Sequence, residues 1–139
     1  MKKYKLLLII ILLIHVSCSN RSRNKELVGE YKSKKLDLTE KIKYKTTKNI
    51  EGFTLSLKED NLFEYNTCGI LVDGSWEVLN DSLVLNATAL RFANDSINKI
   101  RKPKERKDFL IFKIEGESLI GFVDGLSGLV INKLERFEK

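Results

Sequence analysis

The chain has 139 residues, with 25 lysines and arginines against 19 acidic residues, a net charge of +6, one histidine and two cysteines. That length supports one domain with a single core. The histidine, His15, lies in an N-terminal leader; the body beyond it has none, which excludes Ser-His-Asp and Cys-His nucleophilic catalysis and histidine-ligated zinc or copper.

The leader opens with Lys2, Lys3 and Lys5 and continues as nine aliphatic residues, Leu6 to Ile14. As a helix this run is about 14 Å long at ~1.5 Å per residue. A bilayer needs roughly 20 apolar residues to be spanned, so the run is too short for a permanent anchor and matches an export signal. Cys18 follows Val16 and Ser17. This arrangement resembles the lipobox of bacterial lipoproteins, with His15 where the family usually has leucine. The resemblance implies cleavage before Cys18 and a diacylglycerol on its sulfur, making residues 1–17 a signal peptide, 18–26 a lipidated cysteine with a flexible tether, and 27–139 the folded domain. The alternative is an ordinary signal peptide with an incidental cysteine. In the lipoprotein family an aspartate after the cysteine favours retention at the inner membrane. Ser19 stands there, and the tether is basic through Arg21, Arg23 and Lys25. By that resemblance Ser19 implies the outer membrane, and because surface-exposed lipoproteins of some bacteria carry acidic residues after the cysteine, the basic tether implies a body facing the periplasm. Removing the leader takes Lys2, Lys3 and Lys5, half of the charge excess. With Cys18 lipidated, Cys68 has no partner for an intramolecular disulfide.

Beyond the tether, Leu27–Tyr31 is a short apolar start. Lys32–Lys48 is lysine-rich and the least patterned stretch; Leu36, Leu38, Ile42 and Tyr44 fit a strand or a short helix equally well. Phe53, Leu55 and Leu57 alternate with polar residues, Glu59-Asp60-Asn61 turns the chain, and Phe63 and Tyr65 alternate again. That predicts a β-hairpin. Thr67–Val72 extends or loops, Asp73-Gly74 predicts a turn, and Ser75–Val78 a strand with Trp76 and Val78 inward. Asn80-Asp81-Ser82 is a turn and Leu83–Leu85 a strand that Ala87–Phe92 extends. Asn94–Asp108, with Pro103, reads as a polar connection. Phe109–Glu115, Ser118–Val123 and Leu129–Phe137 are the last strands, separated by Glu115-Gly116-Glu117 and a loop at Asp124–Gly128. No amphipathic helix is expected in the body. The fold class is all-β, an up-and-down antiparallel meander or barrel of about eight strands.

Gly29-x-Tyr31, the Leu55-x-Leu57 and Phe63-x-Tyr65 hairpin, Gly74-x-Trp76 and Leu83-x-Leu85 together resemble small lipocalin-like bacterial lipoproteins over roughly Leu27 to Phe137. Tyrosine stands where lipocalins proper have tryptophan, and Gly74-x-Trp76 falls in mid-chain. The resemblance implies an up-and-down barrel of about eight strands.

Small barrels are filled by side chains or hold one small ligand. Phe53, Tyr65, Trp76, Phe112 and Phe122 are the candidate lining of such a cavity, with Trp76 weighed also as a core aromatic. Cys68, with no basic neighbour in sequence, is expected to be a small buried residue. The basic stretches Lys32–Lys48 and Arg91–Asp108 read as solvated loops or as surfaces drawn to acidic headgroups. Nucleic acid is not expected as a partner, since the compartment implied by the leader lacks it and no recognised binding motif is present, and no cofactor, metal or catalytic residue is expected. The leading expectation is a non-enzymatic envelope lipoprotein, membrane-bound through Cys18, that takes a small apolar ligand or an envelope protein partner. One alternative is a structural or protein-interaction module with a filled barrel. Another is an envelope-stress or copper-resistance-type sensor, against which the scarcity of sulfur and nitrogen ligands argues.

Overall fold

The computed structural model describes residues 24–46, 51–101, 104–125 and 128–137. The leader and Cys18 lie outside them. The eight strands are β1 (Gly29–Ser33), β2 (Phe53–Leu57), β3 (Leu62–Thr67), β4 (Ile70–Leu79), β5 (Ser82–Phe92), β6 (Lys104–Glu115), β7 (Ser118–Gly125) and β8 (Gly128–Arg136). Each pairs antiparallel with the next, and β1 pairs with β8 through Tyr31↔Arg136 and Ser33↔Leu134, which closes the barrel. The expected all-β, up-and-down architecture is the one adopted, and it is compatible with a lipocalin-like barrel.

The strands follow from alternation. Leu55, Leu57, Phe63 and Tyr65 share one parity of the β2–β3 hairpin and are buried together, while Thr54, Ser56 and Glu64 lie on the opposite parity. Leu83, Leu85, Phe112, Leu119 and Leu134 add to the same interior cluster. Side chains packed at that density leave each one sensitive to a single added methyl group.

The turn expected at Asp73-Gly74 is not a turn. Both residues lie within β4, at a shift in its register with β5. A Cβ on Gly74 would stand 2.0 Å from the Asn86 carbonyl oxygen and 2.8 Å from the Phe63 ring. The glycine therefore permits a close backbone approach at a bulge, a device that curls a strand without ending it. The reversal between β3 and β4 comes earlier, at Cys68 (φ 53°) and Gly69 (φ 87°). Two successive positive φ values suit a two-residue hairpin connection. Cys68 is accordingly exposed and not buried as expected, because a residue at a hairpin tip points away from both sheet faces.

Two short helices interrupt the all-β chain, Leu38–Lys43 and Asp95–Ile100. The first is started by a capping box: the Asp37 carboxylate accepts from the Glu40 amide, and Glu40 accepts from the Asp37 amide. This β1–β2 connection folds back along the outer wall of β7 and β8. There Leu36 and Tyr44 cover Ile120 and Ile131 in a second, smaller core. Polar contacts hold it in place. The Lys34 amide donates to the Lys133 carbonyl at 2.8 Å, Lys34 pairs with Glu135 at 2.5 Å, and Lys133 pairs with Glu40.

Candidate functional site

The two ends of the barrel are built differently. At the end where β1 begins, a helical turn at 24–27 lies across the opening. The Tyr31 hydroxyl donates to the Leu27 carbonyl at 2.8 Å. Arg136 donates to the Glu26 carbonyl at 2.9 Å and also to that of Val28. Its guanidinium sits 6.0 Å from the Tyr31 ring, within the range of a cation–π contact. Leu27 is thereby buried as a plug. Trp76 belongs to this closed end. It is buried, and its indole N–H donates to the Lys58 carbonyl at 3.2 Å. Its place is that of a core aromatic at the base of the barrel, which satisfies its one donor locally.

The opposite end carries the β5–β6 connection and the Cys68-Gly69 turn, and the β1–β2 connection leaves from it before running down the outer wall. Three of the expected aromatics converge beneath it. Phe53, the first residue of β2, lies 5.7 Å from Tyr65 by ring centroids, and Tyr65 lies 6.1 Å from Phe112, edge to face. They make a chain of rings from the half-buried rim inward. Asn132 of β8 joins them: its Nδ2 donates to the Tyr65 hydroxyl at 2.6 Å. Asn132 is 4% exposed, and its Oδ1 has no hydrogen-bond donor among the described residues. An amide oxygen left this way costs about 1–3 kcal/mol, so it is a natural acceptor for a donor brought in from outside. Burial pushes the Tyr65 hydroxyl up to about 12, opposed in part by the Asn132 hydrogen bond. Tyr65 therefore stays neutral at physiological pH.

Above this group the rim is part apolar and part basic. Leu90 and Phe92 of β5, with Arg101 and Lys104, line an open depression of about 440 Å³. The Asp95–Ile100 helix is fixed beside it by Asn98, whose amide group donates to the Phe92 carbonyl at 2.7 Å and accepts from the Phe92 amide at 2.8 Å. Apolar walls with a few convergent polar groups are the usual composition of small-molecule sites.

Phe122 does not line the interior. It is 45% exposed, and its ring meets Tyr44 at 6.0 Å on the outer wall. The inward residue beside it is Gly121, whose missing side chain makes room for Phe112: a Cβ there would lie 2.8 Å from the ring. Of the five expected lining residues, Phe53, Tyr65 and Phe112 come together, Trp76 is inside at the other end, and Phe122 is outside. Asn132 and Arg136 were not legible as site residues. Their signal was parity, since both fall in register with apolar Leu134 on the inward face of β8.

Among the described residues no three histidine, cysteine, aspartate or glutamate side chains gather as a metal site. Compared with protein-family models, curated proteins and solved structures, the chain matches none.

Proposed function

We propose that the chain is a non-enzymatic bacterial envelope lipoprotein, held at the outer membrane by lipid on Cys18 and facing the periplasm. Its lipocalin-like barrel takes a small apolar molecule carrying one hydrogen-bond donor. The molecule enters beside the β5–β6 connection, over Leu90 and Phe92, its apolar part meets Phe53, Tyr65 and Phe112, and its donor reaches Asn132 Oδ1. The observation that carries this reading is the buried, unpartnered Asn132 oxygen beside an aromatic chain that runs to the rim.

The test is native mass spectrometry of the full chain purified from the membranes of a producing cell. An apolar molecule should co-purify with the wild type and be lost from Asn132→Leu, whose barrel remains folded. An intact barrel with no bound molecule, and no uptake from an extract of envelope lipids, would reject the ligand. The densely filled base of the barrel would then favour the protein-interaction module. In the same spectra an acylated Cys18 at the mature terminus is expected. A free or differently cleaved terminus rejects the anchor.

A further inference from the structure

The Leu38–Lys43 helix has a face that nothing in the fold uses. Leu38 is 76% exposed and Ile42 69%, and at a spacing of four residues they share one side of the helix. Lys41 and Lys45 lie three residues beyond them, and Lys35 stands just ahead of the cap. These three lysines have no ion-pair partner among the described residues, whereas Lys34 and Lys43 are held by Glu135 and Glu115. An apolar pair flanked by unpaired lysines is the composition of an interfacial helix.

Its position adds a second argument. The Tyr44 hydroxyl donates to Glu115 at 2.8 Å and Lys43 pairs with the same carboxylate at 2.7 Å. Glu115 ends β6 beside the turn at Gly116, and that turn lines one depression with Glu26, Leu27 and Arg136. The helix is thus tied to the closed end of the barrel, where the described chain begins. Five residues, 19–23, separate Asn24 from Cys18, and the six steps between them reach about 20 Å at ~3.3–3.6 Å per residue.

We infer that the Leu38–Lys43 helix docks on an anionic bilayer surface, seating Leu38 and Ile42 at the headgroup boundary with Lys35, Lys41 and Lys45 over acidic lipid. This rests on the proposed anchor at Cys18, which would confine the helix near the membrane and make a weak surface contact effective. The barrel would then lie with its open end away from the attachment point, free to exchange ligand. A lipid surface fits better than a protein groove because the apolar contact is two side chains wide and the lysines around it are unpaired among the described residues, whereas Glu40 is held by Lys133 and Asp37 by the helix cap.

The test places tryptophan at either end of the full chain in a Trp76→Phe background, reconstituted into vesicles of phosphatidylcholine with or without phosphatidylglycerol and bearing brominated acyl chains. Fluorescence of Ile42→Trp should be quenched, more strongly with phosphatidylglycerol. Ile100→Trp, on the helix beside the open end, should not be quenched. Adding Lys41→Glu and Lys45→Glu to Ile42→Trp should abolish the quenching while the chain stays on the vesicles. Equal quenching at positions 42 and 100, or quenching at 42 that ignores both headgroup and lysine charge, overturns the docking and leaves the anchor standing. Quenching that appears only after envelope proteins are added overturns the lipid assignment in favour of a protein. A chain that leaves the vesicles altogether overturns the docking and the anchor together.

Discussion

Tyr65→Phe isolates the polar pair inside the barrel. It removes only the hydroxyl that accepts from Asn132 Nδ2 at 2.6 Å and keeps the ring that packs between Phe53 and Phe112. Asn132, at 4% exposed, then has neither its donor nor its acceptor matched by the described residues. Stranding a buried amide donor costs about 1–3 kcal/mol, which for a domain near 100 residues lowers Tm by roughly 4–8 °C per kcal/mol. Removing both partners is different, since apolar replacements of similar shape leave nothing to desolvate. Tyr65→Phe with Asn132→Leu should therefore recover most of the loss, to within about 1 kcal/mol of the wild type. Urea unfolding followed by the fluorescence of Trp76, the one tryptophan and a buried one, measures all the variants at a common slope. If Tyr65→Phe is as stable as the wild type, or if the double variant is worse than either single one, Tyr65 and Asn132 are not coupled as a buried hydrogen-bonded pair.

Tyr65 also bears on alkaline stability. Its folded value of about 12 stands above the ordinary 10.0, so the folded chain keeps a proton that the unfolded chain gives up. Stability from this source is full below pH 10 and falls as pH rises towards 12; Tyr65→Phe should make that decline shallower, and an unchanged profile counts against it. At the acid end, the hydrogen bond from Lys43, then those from Lys113 and Tyr44, holds Glu115 down to about 2, against 4.5 ordinarily. That contribution is present above pH 4.5 and is lost as pH falls towards 2, so amides of the Leu38–Lys43 helix should exchange faster there than the strand amides. Glu115→Gln should reproduce the effect at neutral pH, and identical exchange in the variant would refute the clamp. Gly74→Ala forces a Cβ against backbone at 2.0 Å; a loss above about 3 kcal/mol is expected from strain of this kind, and a stable variant would disprove the bulge. Gly121→Ala drives a methyl into the Phe112 ring and should cost about 1–3 kcal/mol by overpacking, with Phe112→Leu restoring much of it in denaturant titrations; no rescue would place the strain elsewhere.

The β2–β3 hairpin was readable residue by residue because one of its faces is buried and the other is wet, so apolar and polar residues alternate from Phe53 to Lys58 and again from Phe63 to Asn66. The β7 strand was not, because Leu119, Ile120 and Phe122 are apolar on both parities. Its inner face belongs to the barrel and its outer face to the β1–β2 connection, and only folding that connection back decides that Phe122 points outward. Leu36, Leu38, Ile42 and Tyr44 fit strand and helix equally because a helix of six residues spans too short a period to decide, and it is the Asp37–Glu40 capping box formed in the fold that makes it a helix. Asp73-Gly74 has the chemistry of a turn, and what makes it a bulge is the Asn86 backbone pressed against it from a strand later in the chain.

By itself the amino-acid sequence determined the class of fold, most of its strands and turns, and the absence of histidine from the body, because alternation, turn residues and composition are local properties. Barrel closure, the end sealed by residues 24–27, the Tyr65–Asn132 pair and the exposed face of Leu38 and Ile42 were decided only by tertiary structure. Each depends on segments distant in the chain meeting in one register: Tyr31 with Arg136, Tyr65 with Asn132, and Lys43 and Tyr44 with Glu115. No window of sequence contains both partners.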